Sequence, residues 1–134
     1  MRTHTVAYDY DSSVRLDEVA AHGDTFAYSY LASSNLTASL SGPADLSITR
    51  SCESHRDLIT AVQNAVDTTT VSRYEYDNDD IGRRTVAAHT GTAFAAPAFN
   101  LYGYSDRGEV TDARRYLGTD TSDTSSPVSA QDWE

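Results

Sequence analysis

Lysine is absent from the 134 residues, so all ten cationic side chains are Arg. Twenty acidic residues, fifteen Asp and five Glu, oppose them and leave a formal charge of −10. No basic cluster exceeds Arg83-Arg84 and Arg114-Arg115. Non-specific nucleic-acid binding needs many cations on one surface, so neither nucleic acid nor an anionic membrane is an expected partner. The single Cys52 excludes an intramolecular disulfide and a cysteine-rich metal site. No window approaches the roughly 20 apolar residues of a membrane span, so no membrane insertion is expected. Met1 to Tyr10 lacks the apolar core of a signal peptide. Export would therefore rely on a signal carried elsewhere in a longer protein. Hydrophobic residues make up 39% of the chain, enough for a thin core.

Tyr is what the chain has in excess: nine, against three Phe and one Trp. Eight of them form four pairs two residues apart: Tyr8 and Tyr10, Tyr28 and Tyr30, Tyr74 and Tyr76, Tyr102 and Tyr104. Residues two apart point to one face of a strand, so each pair sets two rings side by side on one surface. Asp9, Ser29 and Glu75 alternate with the rings on the opposite face. A fifth, degenerate unit keeps the same parity through Leu46, Ile48, Arg50 and Cys52.

A polar segment follows each pair and a short return strand follows that. Leu16, Leu36, Leu58 and Val110 each lie six residues beyond the second Tyr slot. After Tyr76 the polar segment reads as two residues longer. Asp, Ser and Gly supply turn chemistry between the strands. Breakers at His22-Gly23-Asp24, Ser41-Gly42-Pro43, Asn64 to Asp67 and Thr90-Gly91-Thr92 close the units. The fold expected is all-β: tandem antiparallel hairpins over 1–113, about five units, each burying its apolar face by stacking on neighbours. Residues 114–134 read as a polar connecting tail leading toward a further unit, ending in Gln131-Asp132-Trp133-Glu134.

Tyr8-Asp9-Tyr10-Asp11-Ser12-Ser13-Val14-Arg15-Leu16 resembles the YD-repeat signature Tyr-x-Tyr-Asp-x-x-Gly-Arg-Leu of RHS-family proteins, with Val14 in the Gly position. Tyr74-Glu75-Tyr76 with Asn78 to Arg84 resembles a longer-turn copy that keeps Gly82 and Arg83. Tyr102-Gly103-Tyr104 with Gly108 and Val110 resembles a third, with Glu109 in the Arg position. The resemblance implies a segment of a spiralling β-sheet shell in a large secreted or surface-displayed bacterial protein, related to the teneurin shell. In such proteins the shell encloses a toxic C-terminal segment until delivery. The expected partners are accordingly further YD repeats of a parent chain, or further copies of this one, and an encapsulated toxin segment. The repeat residues Tyr8, Tyr10, Asp11, Arg15, Leu16, Tyr28, Tyr30, Leu36, Leu58, Tyr74, Tyr76, Gly82, Arg83, Tyr102, Tyr104, Gly108 and Val110 take structural roles, the rings packing as cross-strand ladders.

Other chemistry finds little support. His55-Arg56-Asp57-Leu58 matches the opening of a kinase catalytic loop, but Val62 stands where the magnesium-binding Asn belongs. Asp77-Asn78-Asp79-Asp80 resembles the start of a calcium loop, but Ile81 and Ala88 replace two of its ligands. Histidines 4, 22, 55 and 89 have no metal-ligand spacing and read as surface residues. Neither an enzyme nor a cofactor is expected. Two other readings stand beside the shell segment. One is an adhesin module presenting the Tyr face to carbohydrate or protein, and the other is a self-associating remnant with open edges.

Overall fold

A computed structural model describes residues 5–128. Ten strands follow one another, and each pairs with the next: β1 (Val6–Tyr10), β2 (Leu16–Ala21), β3 (Asp24–Tyr30), β4 (Thr37–Gly42), β5 (Leu46–Cys52), β6 (Ile59–Val66), β7 (Thr69–Asn78), β8 (Arg84–Thr90), β9 (Ala98–Tyr104) and β10 (Val110–Leu117). They form one open antiparallel sheet in the order β1 to β10, and no helix occurs among the described residues.

The register divides the sheet into two chemically different faces. One face carries the four Tyr pairs, with other apolar side chains beside them in cross-strand rows. Tyr8, Val19 and Phe26 form one row, and Tyr28, Leu40, Ile48 and Asn64 a second. Arg50, Val62, Tyr74, His89 and Ala98 form a third. The other face is small and polar over most of its length, as in the row Ser29, Ser39, Thr49, Gln63, Arg73 and Thr90. There the Ser29 and Ser39 hydroxyls lie 2.6 Å apart, and Arg73 donates to Gln63 Oε1 at 2.8 Å and to Glu75 Oε1 at 2.7 Å. This face turns apolar toward β10, where the row Ala61, Glu75, Ala88, Phe99 and Tyr116 carries the buried rings.

Burial is concentrated at one end. Ala65, Ala98, Phe99 and Tyr116 are the buried apolar residues, and Phe99 and Tyr116 stack with ring centroids 5.4 Å apart. Loop 91–97 leans back on β7: Thr92 N donates to the Thr70 carbonyl and Ala93 N to the Val71 carbonyl. Gly91 is required for this approach, since its φ is +120° and a Cβ there would sit 2.5 Å from the Val71 carbonyl oxygen.

Four details depart from the pattern read in the sequence. Asn64 breaks nothing, because β6 runs to Val66 and the chain turns only at Asp67 and Thr68. After Tyr76 the turn is no longer than its counterparts. Instead β7 continues two residues to Asn78. The strand array extends past 113, since β10 reaches Leu117. The chain beyond it turns back, with Tyr116 bridging Pro127, Leu117 N donating to the Ser126 carbonyl and Val128 N to the Arg115 carbonyl. Gln131 to Glu134, read as the start of a further unit, lie outside the described residues.

Candidate functional site

Five wide turns, 11–15, 31–36, 53–58, 79–83 and 105–109, line one margin of the sheet. The other margin carries three tight connections, 22–23, 43–45 and 67–68, and the longer loop 91–97. Beside every wide turn the strand register slips, at Asp9/Tyr10, Ser29/Tyr30, Ser51/Cys52, Asp77/Asn78 and Val110/Asp112. These bulges set the residue immediately before each turn: Tyr10, Tyr30, Cys52, Asn78 and Tyr104. Asn78, and not Tyr76, therefore occupies the position equivalent to Tyr10, and Asp79 is the counterpart of Asp11.

Three of the turns have five residues and one backbone pattern. The first residue's N–H donates to the fifth carbonyl: Asp11 to Arg15, Asp79 to Arg83 and Ser105 to Glu109, at 2.8, 2.8 and 2.9 Å. The fourth N–H returns to the first carbonyl, and that fourth residue is left-handed: Val14 (φ 62°), Gly82 (φ 88°) and Gly108 (φ 82°). Gly adopts this conformation freely, whereas a β-branched residue does so only under strain. Val14 is nonetheless 81% exposed, so solvent rather than packing receives its side chain.

Asp and Arg staple two of these turns. Asp11 Oδ1 accepts from the Ser13 and Arg15 amides while Oδ2 accepts from Arg15 Nε at 2.7 Å. Asp79 Oδ1 likewise accepts from Ile81 and Arg83 N–H, and its Oδ2 from Arg83 Nε at 2.6 Å. The Arg15 amide, ahead of the other donors, holds the Asp11 carboxyl below its ordinary range. At Asp79 partial burial pushes upward, but the Arg83 side chain and amide outweigh it and the net shift is down. With both oxygens engaged in turn and guanidinium bonds, Asp79 is a turn staple. Among the described residues no group of three His, Cys, Asp or Glu is placed to hold a metal ion.

The staples also reach across to the next turn. Arg15 donates to the Ser34 carbonyl and lies 4.3 Å over the Tyr30 ring, whose hydroxyl donates to the Leu16 carbonyl at 2.7 Å. Arg83 repeats this: it donates to the Ser105 carbonyl at 3.4 Å and lies 4.7 Å over Tyr104, whose hydroxyl donates to the Arg84 carbonyl at 2.6 Å. Each such joint combines a cation–π contact with two hydrogen bonds to backbone.

A third joint reaches the same end with other residues. Arg56 pairs with Glu53 and donates to the Asp79 carbonyl at 2.8 Å, Asn78 donates to Glu53, and Arg84 donates to the Ile59 carbonyl at 3.5 Å. Asn78 first, then Arg56, keeps the Glu53 carboxyl below its usual range. Residues 55–58, which match the kinase opening in sequence, are thus part of a turn.

The remaining repeat residues are spread along the sheet. Tyr8 and Tyr10 on β1 are 60% and 55% exposed, so this pair is not in a buried ladder. Tyr28 faces Leu40, and Tyr102 faces Ala113. Tyr74 and Tyr76 do stack, 6.4 Å apart and 8° from parallel, with Arg84 3.7 Å over Tyr76. Leu58 lies in its turn against Gly82, while Leu36 and Val110 are exposed. His89, expected on the surface, is half-buried against Phe94 at 4.4 Å and beside Arg115 at 3.0 Å. Burial first, then the Arg115 charge, depresses its pKa.

Glu53, Arg56, Asn78 and Arg84 belong to this row yet were not among the repeat residues singled out in the sequence, although Asn78 and Arg84 bound the longer-turn copy. The signal available for them was weak: Arg56 three residues after Glu53 in a turn. Scanned against protein-family models the chain finds no match, and a search of curated proteins finds none either.

Proposed function

We propose that the chain is a non-enzymatic wall segment of an RHS/YD-repeat β-shell, belonging to a longer secreted or surface-displayed bacterial protein that encapsulates and delivers a C-terminal toxin. The observation that carries this reading is the recurrent joint, Arg15 on Tyr30 and Arg83 on Tyr104, in which two of the four neighbouring hairpin pairs are fastened by the same atoms. A row of such joints lengthens without limit, as a wall requires, and the thin burial of the sheet suits a material stabilised by neighbours. The coding sequence on either side of this segment is expected to continue with paired-Tyr hairpins, an export signal and a distinct C-terminal domain. Stop codons on both sides with no further repeats would overturn the proposal.

A second reading, self-association, draws on the β1 edge. All five β1 residues are exposed, and an exposed strand edge is a template for pairing with another chain. Light scattering at rising concentration is then expected to report dimers or larger species. A monomer throughout would dispose of this reading while leaving the wall segment intact.

A further inference from the structure

The four joints between consecutive wide turns are not equivalent. Three are closed by an Arg from one turn and a polar or aromatic side chain before the next. At the joint between turns 31–36 and 53–58 both members are missing: the first turn contains no Arg, and Cys52 stands where Tyr30 and Tyr104 stand elsewhere. What remains is an open cleft of about 300 Å³ lined by Leu36, Thr37, Arg50, Cys52, Asp57 and Ile59.

Two groups in this cleft are left without the side-chain partners their counterparts have. Thr37 begins its return strand as Leu16 and Arg84 begin theirs. Those two carbonyls accept from a Tyr hydroxyl, whereas among the described residues no side chain donates to the Thr37 carbonyl. Arg50 is half-buried and projects from β5 on the same face as Cys52. Among the nine described Arg residues, only Arg50 and the exposed Arg107 make no hydrogen bond, ion pair or ring contact. A guanidinium partly withdrawn from water with no acceptor is unfavourable, and a planar carboxylate meets its fork with two parallel bonds.

We propose that this cleft binds a small aromatic monocarboxylate, with the carboxylate on Arg50 and the ring in the space that the Tyr ring fills at the neighbouring joints. The side chains of Leu36 and Ile59 and the Cys52 thiol supply the apolar lining, and a para-hydroxyl on the ring supplies the donor that the Thr37 carbonyl otherwise lacks. A volume of about 300 Å³ is at the small end of ligand sites and matches one ring with a short acid arm. Asp57 at the rim selects against polyanions such as nucleotides by like-charge repulsion.

Cys52 is the single thiol of the chain and lines the cleft, so its alkylation by iodoacetamide reads occupancy directly. With 4-hydroxyphenylacetate as probe, a dissociation constant of about 1–10 mM is expected for so few atoms, and saturating probe is expected to slow alkylation about fivefold or more. Its neutral amide is expected to give no protection. Arg50→Gln is expected to abolish protection, measured against that variant's own probe-free alkylation rate, with the circular dichroism spectrum reporting that the sheet is retained. Equal protection by acid and amide, no protection by the acid, or undiminished protection in R50Q would overturn the assignment. A joint rebuilt with Asn35→Arg and Cys52→Tyr supplies a second measurement. Acid-induced chemical-shift changes around Thr37 and Ile59 are expected to vanish there, and their persistence would show that the ring does not occupy the Tyr position.

Discussion

The two ends of the sheet are built from the same hairpins and finished in different ways. At the β1 end every strand residue is exposed, Tyr8 and Tyr10 lie open, and the first turn holds Val14 in a left-handed conformation. At the β10 end Phe99 and Ala98 are almost wholly buried, loop 91–97 folds onto β7, and the returning chain places Pro127 beside Tyr116. Pro has no N–H to offer an incoming strand, so it blunts that edge locally. A single-layer sheet has little interior of its own. Its stability depends on what is laid over it, and here that covering is at one end.

The sharpest way to test this contrast is to remove one ring at each end. Phe99→Ala is expected to cost about 3–5 kcal/mol in urea unfolding, since it empties a fully buried site. Tyr8→Ala is expected to cost under about 1 kcal/mol, because its ring is already largely in water. Similar costs at both sites would mean that the β1 face is covered in solution.

A smaller effect probes the joints, which the two halves share. Tyr30→Phe and Tyr104→Phe each delete one hydroxyl bond to backbone, to Leu16 and Arg84, and are each expected to cost about 0.5–1.5 kcal/mol. Equality between them is the point of the comparison, because the geometry is the same at both. Val14→Gly is expected to stabilise the first turn by about 0.5–1 kcal/mol, the relief of left-handed strain exceeding the added freedom of the unfolded chain. Gly82→Val, the reverse change in the equivalent turn, is expected to destabilise, and both are read from the thermal midpoint.

Acid acts on the sheet in two stages, first through His89 on β8 and then through the carboxylates of the wide turns. His89 has a folded pKa below its ordinary 6.5, so as pH falls through 6.5 the unfolded chain takes up the proton first and stability declines. Asp11, Glu53 and Asp79 are also depressed, from ordinary values of 3.8, 4.5 and 3.8. Their contribution is complete above those values and is lost as pH falls through the lower folded ones. A shallow decline in Tm below pH 6.5 that disappears in His89→Asn, followed by a steeper one below pH 4.5 that does not, is the expected profile.

Much of the strand pattern was legible because alternation is local. The Tyr pairs, the alternating Asp9, Ser29 and Glu75, and the Asp-Ser-Gly turns depend on residues only a few positions apart. The slot before the fourth wide turn was misread because β7 runs two residues past Tyr76, keeping parity, and ends in Asn78 where the other hairpins of that pattern carry Tyr. The aromatic mark therefore fell one slot early. Arg56 and Arg84 were missed as joint residues because their partners, Asp79 and Ile59, are 23 and 25 residues away. No short-range spacing encodes a contact of that kind.

Composition and periodicity by themselves determined that this chain forms an antiparallel sheet with its paired Tyr rings on one face, and where most of its turns fall. Only the tertiary structure decided which Arg meets which ring, that Cys52 and an Arg-free turn meet to leave a cleft, and that the chain returns to Pro127. The physical reason is distance. Strand faces follow from torsions within a few residues, whereas wide turns come into register two strands apart, about 10 Å, only once the intervening hairpin has formed. An Arg side chain spans that gap, and the sequence alone cannot show which one will be placed to do so.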